Sequence, residues 1–469
     1  MSSAVVVGSG PNGLACAATL ASRGVAVTVI EAAETIGGGT RSSELTVPGL
    51  LHDECSATHP MVVSSPAVVS LGLERHGLEW CWPEVDLAHP LDGGEGATML
   101  RSVEATAAGL GAAGARWRRV FGAPAEGYDA LSEDFYKPLL HLPRHPLRLA
   151  RFGLPAAMPA TALARSLGSP QAAALFGGIA AHAYAPLNLP FSSAIGMALT
   201  CAGHAHGWPV AKGGSIAISN AWAAVIREHG GRIETGRRVG SLDELPEADA
   251  VVLDLAPRGV LELAGDRLPA RVARAYRRYK HGPGAFKLDL AVEGGVPWAL
   301  EGARRAGAVH AIGSFEDLVA AEREVNRGRM PERPFVLVGQ QYLADPGRSR
   351  GDLHPVWAYA HVPSGYDGDA SEAILAQLER FAPGTRERIV ATTTRGPAGF
   401  EAINANFLGG DILTGANTPL QTLLRPRIGP SPYWTGIPGV FICSAATPPG
   451  PGAHGICGLN AAETALRNL

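Results

Sequence analysis

The amino-acid sequence predicts an α/β protein in which a parallel-sheet unit is interleaved with a second unit of β-sheet and helices. A strand, a glycine turn, a helix and a second strand open the chain over residues 4–31. Further strand and helix patterns follow over residues 213–264 and 440–466. Between residues 285 and 362, β-like runs are separated by long polar loops. A chain that returns to one sheet in this way encloses the second unit between its segments.

The composition sets the broad class of the chain. Its 469 residues are 46% apolar and 18% charged, which is typical of a globular protein with two or three compact units. The net charge of −3 and the lack of a basic run argue against nucleic acid as a partner. No apolar run is long enough to span a bilayer, and the amino terminus lacks the basic region of a secretory signal. The simplest compartment is therefore a reducing cytoplasm.

The opening segment carries a glycine fingerprint, GSGPNG, with glycines at positions 8, 10 and 13. Such spacing arises by chance about once in a chain this rich in glycine, so its surroundings must support it. Residues 4–7 form an apolar strand, residues 14–22 have helical apolar spacing, and residues 25–30 alternate as a second strand. This complete βαβ unit predicts a dinucleotide whose pyrophosphate lies at the helix amino terminus. Glu31 can accept hydrogen bonds from ribose hydroxyls and disfavours the 2′-phosphate of NADP.

A second glycine run follows in the stretch ETIGGGTR. Gly38 and Gly39, with Thr40 and Arg41 after them, predict a flexible backbone cradle beside a guanidinium, suited to the same pyrophosphate from its other side. A nicotinamide domain does not need this second cradle, whereas a buried FAD does. The alternative is an ordinary loop with a surface arginine.

Several stretches resemble the FAD-dependent phytoene desaturase-related oxidoreductases, and most closely the branch named for pyridine nucleotide-disulfide oxidoreductase domain-containing protein 2. They are the opening βαβ unit, GGGTR, HDECSATHP, DPGRSRGDLHPVWAYAHVP, NFLGGDI and the PPGPGAHGICGLNAAETAL terminus. The resemblance implies a two-domain glutathione-reductase-like flavoprotein fold, one non-covalent FAD, and hydride removal from, or isomerisation within, an apolar substrate. The six cysteines form no CxxC pair, so disulfide chemistry is not expected. The relatives' acid after the last strand is also missing, because Ser444, Ala445 and Ala446 stand there.

The carboxyl-terminal stretch GPGAHG repeats the fingerprint at positions 450, 452 and 455. Only fourteen residues follow Gly455, which leaves no room for another strand and its acid. A second dinucleotide unit is therefore excluded, and NAD(P)H is not expected as a co-substrate. We expect instead that the helix after Gly455 points its amino terminus at the flavin N1 and C2 carbonyl, which would stabilise the reduced flavin by about 0.3–2 kcal/mol.

These motifs predict an FAD-binding domain over residues 1–60, 205–285 and 400–469, and a substrate domain over residues 61–204 and 286–399. The predicted cofactor-binding residues are Gly8, Gly10, Pro11, Asn12, Gly13, Glu31, Ala32, Gly38, Gly39, Thr40, Arg41, Val239, Ala446, Gly455 and Ile456. No metal site is predicted.

Catalytic residues are harder to assign, because a flavin accepts hydride without help and the protein has only to orient the substrate, exclude water and, in some enzymes, supply a base. His59 and His454 stand in motifs near the flavin and are the candidates to take a proton. For each, a structural role is the alternative. His182, His204 and His206 are weaker candidates, and their spacing does not fit a metal site. Lys212 could face the flavin or lie on a solvated loop.

The predicted function is an FAD-dependent oxidoreductase that removes hydride from an apolar or small organic substrate, with oxygen, a quinone or another acceptor reoxidising the flavin. The alternatives are a redox-neutral polyene isomerase and a non-catalytic interaction protein stabilised by FAD. Residues 144–165 mix arginines, prolines and apolar residues. This pattern favours a partly exposed lid over a peripheral membrane contact.

Overall fold

A computed structural model describes residues 2–138, 141–429 and 431–469 of the chain. Its strands, in chain order, are β1 Ser3–Val7, β2 Ala26–Ile30, β3 Ser42–Ser43, β4 His52–Asp53, β5 Trp80–Cys81, β6 Val85–Pro90, β7 Gly96–Met99, β8 Val210–Ala211, β9 Arg232–Glu234, β10 Ala250–Leu253, β11 Gly284–Glu293, β12 Ala306–Ala311, β13 Val336–Gly339, β14 Leu353–Val362, β15 Ile389–Arg395 and β16 Val440–Ile442.

The α-helices, in chain order, are α1 Pro11–Ser22, α2 Pro66–Leu71, α3 Val103–Gly109, α4 Gly114–Trp117, α5 Ala123–Glu126, α6 Tyr128–Phe135, α7 Pro146–Ala157, α8 Ala160–Ser166, α9 Pro170–Ala181, α10 Ser193–His206, α11 Ile216–Glu228, α12 Pro257–Ala264, α13 Ala270–Arg277, α14 Phe315–Asn326, α15 Ser371–Phe381, α16 Thr385–Arg388, α17 Pro397–Ile403, α18 Pro419–Leu424 and α19 Ile456–Leu466.

A five-stranded parallel sheet has the order β16-β10-β1-β2-β9. Its central strands are apolar because both faces are covered, as is usual in parallel sheets. The strands come from three separated parts of the chain, and all of them fall inside the three segments predicted for FAD binding. The domain boundaries themselves stay a prediction.

Helices α1, α11 and α19 pack together against this sheet. Trp222 of α11 is fully buried among them. The close approach of α1 and α19 requires a glycine, because a Cβ on Gly458 would lie 1.9 Å from the carbonyl oxygen of Asn12. This packing brings the start of α19 beside the start of α1.

A seven-stranded sheet has the order β15-β11-β14-β13-β12-β6-β7 and is antiparallel except between β12 and β6. Strand β14 is central to it and pairs with β11 and β13. Helices α9 and α10 pack beside this sheet in one apolar cluster that includes Phe176, Met197 and Trp357. One face of the sheet is therefore covered by these helices.

Buried charged side chains connect the loop before β14 with strand β4. The Nη1 atom of Arg348 lies 2.5 Å from Oδ2 of Asp53, and Nε lies 3.1 Å from Oδ2 of Asp345. Asp53 also accepts the backbone N–H of Ser215 at 2.7 Å. Although desolvation opposes ionisation of Asp53, the Arg348 guanidinium and the Ser215 N–H hold its pKa below the usual value.

The α/β fold class predicted from the sequence is confirmed. The opening strand, helix and second strand are observed within three residues of their predicted bounds. The segment over residues 144–165 divides into α7 and α8, and the break falls at Met158 and Pro159 as its prolines suggest. No helix among the described residues is long and apolar enough to cross a membrane.

Candidate functional site

One cavity of about 490 Å³ extends from the first glycine loop to an apolar region beneath the seven-stranded sheet. It lies outside the carboxyl ends of β1 and β10, where ligands bind in open α/β sheets. Its polar end is lined by Gly10, Pro11, Asn12, Gly39, Thr40, Asp254, Ser444, Ala445 and the loop over residues 451–454. Its apolar end is lined by Met61, Phe135, Phe152, Ala198, Leu199, Leu337, Trp357 and Tyr359, with His182 among them, and Phe407 lies beside Gly39.

The first glycine loop has the geometry predicted for a pyrophosphate cradle. Gly8 has a positive φ of 100° and Gly10 caps helix α1. A Cβ on Gly13 would lie 2.2 Å from the carbonyl oxygen of Gly8, so only glycine allows the helix to start this close to the strand. Asn12 is buried, and its Oδ1 has no hydrogen-bond partner among the described residues. The loop therefore presents a helix amino terminus and an unpaired polar atom beside the cavity.

Asp254, which the sequence analysis did not single out, lies against this loop directly after β10. Its Oδ2 accepts the backbone N–H of Gly13 at 3.0 Å. Burial raises the pKa of Asp254 to about 7, against the opposing effect of the Gly13 N–H. The signal that could have identified it is an acid at the carboxyl end of a strand next to β1.

Glu31 ends β2 and is held by protein donors. Its Oε2 accepts the N–H and the hydroxyl of Ser9 at 2.7 and 2.6 Å, and its Oε1 accepts the N–H of Ala33 at 2.8 Å. Ala32 beside it is exposed. The role of Glu31 toward ribose hydroxyls stays a prediction.

The second glycine run packs on the first. Gly37 donates its N–H to the carbonyl of Ser9 at 2.9 Å. A Cβ on Gly38 would lie 3.0 Å from the Cα of Gly10. Gly39 and Thr40 line the cavity, so the two glycine loops meet at one place.

The structure does not place Arg41 in the cavity lining. Its guanidinium donates to the carbonyls of Thr35 and Ile403, at 2.9 and 3.0 Å, and lies 3.7 Å from Glu31. A different arginine lines the cavity, namely Arg425, which is 2% exposed. Arg425 donates to Oδ1 of Asn417 at 2.5 Å and has no carboxylate within 4.0 Å among the described residues. Sequence spacing could not have found it, because Arg425 lies more than 400 residues after the first loop.

The carboxyl-terminal loop closes the same cavity from the other side. Gly455 has a φ of 70° and caps α19, and Ile456 is the first residue of that helix. A Cβ on Gly455 would lie 2.7 Å from the Cβ of Ala15, so the two helix starts are in contact. Ala446 is buried next to the lining residues Ser444 and Ala445, while Val239 packs at a distance, against the cluster that contains Leu242.

The two histidine candidates occupy different places. His454 lines the cavity, and its Nδ1 accepts the N–H of Ile456 at 3.1 Å. His59 is not a lining residue, and its Nε2 is 2.8 Å from Oγ of Ser215. Burial lowers the pKa of each imidazole to about 4, so both are neutral at physiological pH.

The weaker candidates are not brought together. His182 lines the cavity, His204 accepts the indole N–H of Trp117 at 2.9 Å, and His206 pairs with Asp129. Lys212 pairs with Glu79 on the surface at 2.7 Å. Within residues 2–138, 141–429 and 431–469, no group of three acidic, histidine or cysteine side chains could hold a metal ion.

The apolar end of the cavity is walled by aromatic side chains. Trp357 and Tyr359 of β14 stack with ring centres 5.5 Å apart, and Phe135 and Phe152 stack at the same distance. Phe152 belongs to α7, whose Leu147 and Leu154 are 83% and 75% exposed. Helix α7 therefore has one residue in the cavity and others in contact with solvent.

Comparisons with known proteins agree with this fold. A family profile described as an NAD(P)-binding Rossmann-like domain matches residues 6–70. No curated protein matches the chain. Solved structures match it over nearly its whole length. An oxidoreductase from Methanosarcina mazei is 15% identical, with 99% of this chain and 100% of that chain covered and a TM-score of 0.64.

Two oxidases give similar matches. Putrescine oxidase with bound putrescine is 18% identical, with 99% of this chain and 98% of that chain covered and a TM-score of 0.63. Cyclohexylamine oxidase from Brevibacterium oxydans IH-35A is 16% identical over the same shares, with a TM-score of 0.57. The chain shares the two-sheet fold of these oxidoreductases along nearly its full length.

Proposed function

We propose that this chain is an FAD-dependent oxidoreductase that removes hydride from a small apolar substrate, with oxygen, a quinone or another acceptor reoxidising the flavin. The observation that carries the proposal is one continuous cavity, which is lined at one end by both glycine loops and the loop before α19, and at the other end by apolar side chains. The likeness to oxidases of the same fold supports it. The resemblance to the phytoene desaturase-related branch is consistent with the apolar wall.

The residues around the polar end suit FAD. Glycine is required where the loops meet α1, and a Cβ on Gly10 would lie 2.6 Å from Oδ2 of Asp254. The α1 amino terminus favours the pyrophosphate, and the α19 amino terminus favours the electron-rich side of the flavin. The bound flavin would supply a two-electron acceptor for hydride. The chain itself binds the substrate, orients it and excludes water.

Arg425 supplies positive charge to the same cavity. Burying a guanidinium without a carboxylate is costly, so its position is explained by an anionic group in the cavity. The cofactor's pyrophosphate and the reduced flavin are both anionic. We assign Arg425 to the cofactor, since it lies beside Ala445 and Gly450 in the loop that precedes α19.

The lining disfavours a cationic substrate. Asp254 is the only carboxylate among the described lining residues, and it lies against the first glycine loop at the cofactor end. An ammonium group at the aromatic end would have no counterion. The substrate that fits this cavity is neutral and mainly apolar, and α7 is the lid through which it enters.

The test is a visible spectrum of the purified protein, followed by anaerobic mixing with candidate substrates. We expect flavin absorbance in the wild type and its loss in Gly13→Val, because the added side chain would overlap the Gly8 carbonyl. Gly153→Ala is the matched control, since no atom lies within 4 Å of its added Cβ. A folded wild type that stays colourless after incubation with FAD contradicts the proposal. Bleaching of the flavin absorbance by a substrate indicates a dehydrogenase. Formation of product without bleaching indicates an isomerase, and the absence of both indicates the non-catalytic role.

A further inference from the structure

Three histidines extend from the cavity into the protein. His182 lines the cavity, and its Nε2 is 2.9 Å from Nε2 of His310, which is fully buried. His89 lies behind His310, with ring centres 5.9 Å apart. The Nε2 of His89 is 2.8 Å from the carbonyl oxygen of Gly313. The three rings therefore form a row that runs from the cavity wall to the carbonyl of Gly313.

The backbone carbonyl determines which nitrogens carry protons. A carbonyl oxygen only accepts, so His89 donates from Nε2, and the Nδ1 of its neutral ring is bare. The Nδ1 atoms of His89 and His310 face one small space, because a Cβ on Gly178 would lie 2.8 and 2.3 Å from them. Neither Nδ1 has a hydrogen-bond partner among the described residues. Because two bare nitrogens would repel each other there, the favoured arrangement has the proton of His310 on Nδ1.

The tautomer of His182 then follows. With its proton on Nδ1, His310 has a bare Nε2, which accepts the Nε2–H of His182. The remaining nitrogen of His182, Nδ1, is bare and has no hydrogen-bond partner among the described residues. His182 therefore offers a hydrogen-bond acceptor to the cavity.

The surroundings keep these rings neutral. Burial lowers the pKa of His182 to about 3 and that of His89 to about 4, and holds the pKa of His310 well below its usual value. Beyond these three rings, His361 also acts on the pKa of two of them; its Nδ1 is 2.6 Å from Oε1 of Glu322, and its ring centre lies 3.7 Å from that of Tyr184. His361 contributes a further lowering of the pKa of His182 and His310.

We propose that Nδ1 of His182 accepts the proton of a substrate O–H or N–H group, so that the substrates are apolar alcohols, or amines that bind as the uncharged free base, with a C–H bond next to that group. The proposal rests on the proposed function and names its substrate class. A hydrocarbon would leave this acceptor without a partner in the cavity, whereas an O–H or N–H donor satisfies it.

The proton and electron balance is complete with the flavin as the oxidant. The C–H bond loses hydride to the flavin, the O–H or N–H bond loses its proton to Nδ1 of His182, and the bonding pair left on oxygen or nitrogen forms the C=O or C=N double bond. The substrate is oxidised by two electrons and the flavin is reduced by two. Because His182 is weakly basic, proton transfer accompanies hydride loss rather than preceding it.

His310 is a positioning residue in this scheme. It fixes the tautomer of His182 by accepting its Nε2–H, and it can take that proton when Nδ1 becomes protonated. Gln at position 310 can still accept through Oε1, whereas Leu cannot. His310→Gln should therefore keep most of the function that His310→Leu loses.

The first test reads the tautomers directly, with or without cofactor. In protein labelled with ¹⁵N-histidine, chemical shifts should show His182 and His89 protonated on Nε2 and His310 on Nδ1, with signals assigned from the His182→Phe and His310→Leu variants. A His182 ring protonated on Nδ1 overturns the proposal.

The second test uses three sets of compounds. Each set consists of an alcohol, an amine and a hydrocarbon with the same carbon skeleton, and one such set is cinnamyl alcohol, cinnamylamine and 1-propenylbenzene. Anaerobic flavin reduction should occur with alcohols or amines and not with the hydrocarbons. His182→Phe should slow it about 100-fold or more while retaining flavin. His310→Leu should slow it about tenfold, His310→Gln should stay within about threefold, and the exposed control His229→Gln should match the wild type.

Each contrary result has a distinct meaning. The assignment of His182 is overturned if only the hydrocarbons reduce the flavin, if no compound of the panel reduces it, or if His182→Phe reduces it at the wild-type rate. In each of these cases the proposed function still stands, provided that the protein binds flavin. A wild type that binds no FAD contradicts the proposed function, and the tautomer measurement then still decides whether His182 is an acceptor.

Discussion

The carboxyl group of Asp254 accepts the backbone N–H of Gly13 at 3.0 Å, inside the loop that would hold the cofactor's pyrophosphate. Desolvation raises the pKa of this buried carboxyl to about 7, and the nearby Glu31 carboxylate also raises it. The acid therefore changes charge near physiological pH beside a group that carries negative charge when bound.

Cofactor affinity is expected to fall as pH rises through 7. A pyrophosphate next to Asp254 favours the protonated carboxyl, so FAD should bind most tightly below pH 7 and lose up to about tenfold in affinity per pH unit above it. Asp254→Asn should remove this dependence. The measurement is the dissociation constant of FAD between pH 5.5 and 8.5, and an equal slope in both proteins would contradict the assignment.

The same group affects the stability of the protein without cofactor. Between the unfolded pKa near 3.8 and the folded value of about 7, the folded state holds a proton that the unfolded state has released. The free energy of unfolding therefore falls as pH rises across this window, by on the order of 3–4 kcal/mol. Urea unfolding at pH 5 and pH 8 should show a smaller difference in Asp254→Asn.

Gly458 determines how closely α1 and α19 approach. A Cβ there would lie 1.9 Å from the Asn12 carbonyl oxygen and 2.8 Å from the backbone N of Cys16. Gly458→Ala should lower the free energy of unfolding by about 3 kcal/mol and reduce flavin content, because the two helix starts would separate. Gly153→Ala in α7 adds the same methyl group in open space and should be neutral or stabilising by about 0.5–1 kcal/mol. Equal effects of the two changes would contradict this account.

The fold could be predicted largely from local patterns. The opening βαβ unit could be identified from the sequence because its glycines, apolar periodicity and acid all lie within about 30 residues. The helix after Gly455 could be identified in the same way, because its glycine and its apolar pattern are also close together in the sequence.

The site could be predicted only in part, because its other members meet through tertiary structure. His182 and His310 are 128 residues apart, and nothing near either one indicates a pair. Arg41 is adjacent to the glycine run in sequence, but packing turns its guanidinium toward backbone carbonyls, and Arg425 lines the cavity instead. Spacing identifies a motif's backbone geometry better than the direction of a long side chain.

Arg348, in the loop before β14, and Asp53 of β4 form a buried ion pair. Removing one partner leaves an unpaired buried charge, so Arg348→Met should lower the free energy of unfolding by about 3–5 kcal/mol. Asp53→Asn combined with Arg348→Met should recover part of this loss. Denaturant unfolding of both single variants and the double variant gives the coupling, and additive losses would contradict a direct interaction.

The ion pair also gives a pH dependence of the opposite sign to that of Asp254. The pKa of Asp53 is lowered in the folded state, so its contribution to stability is present above the unfolded pKa of about 3.8 and is lost as pH falls through the folded value. Wild-type protein should lose stability in acid below about pH 4, and Asp53→Asn should lose less over the same interval.

His454 can be tested by separating its two nitrogens. Its Nδ1 accepts the Ile456 N–H at the start of α19, and its imidazole lines the cavity. Asn at this position keeps an acceptor near Nδ1 and removes Nε2, whereas Leu removes both. We expect His454→Asn to keep flavin reduction within about threefold of the wild type, because the base in our scheme is His182. His454→Leu should cost about 1 kcal/mol of stability, since the Ile456 N–H is left unpaired. A loss of 100-fold or more in His454→Asn, with flavin still bound and stability unchanged, would instead assign the proton transfer to His454.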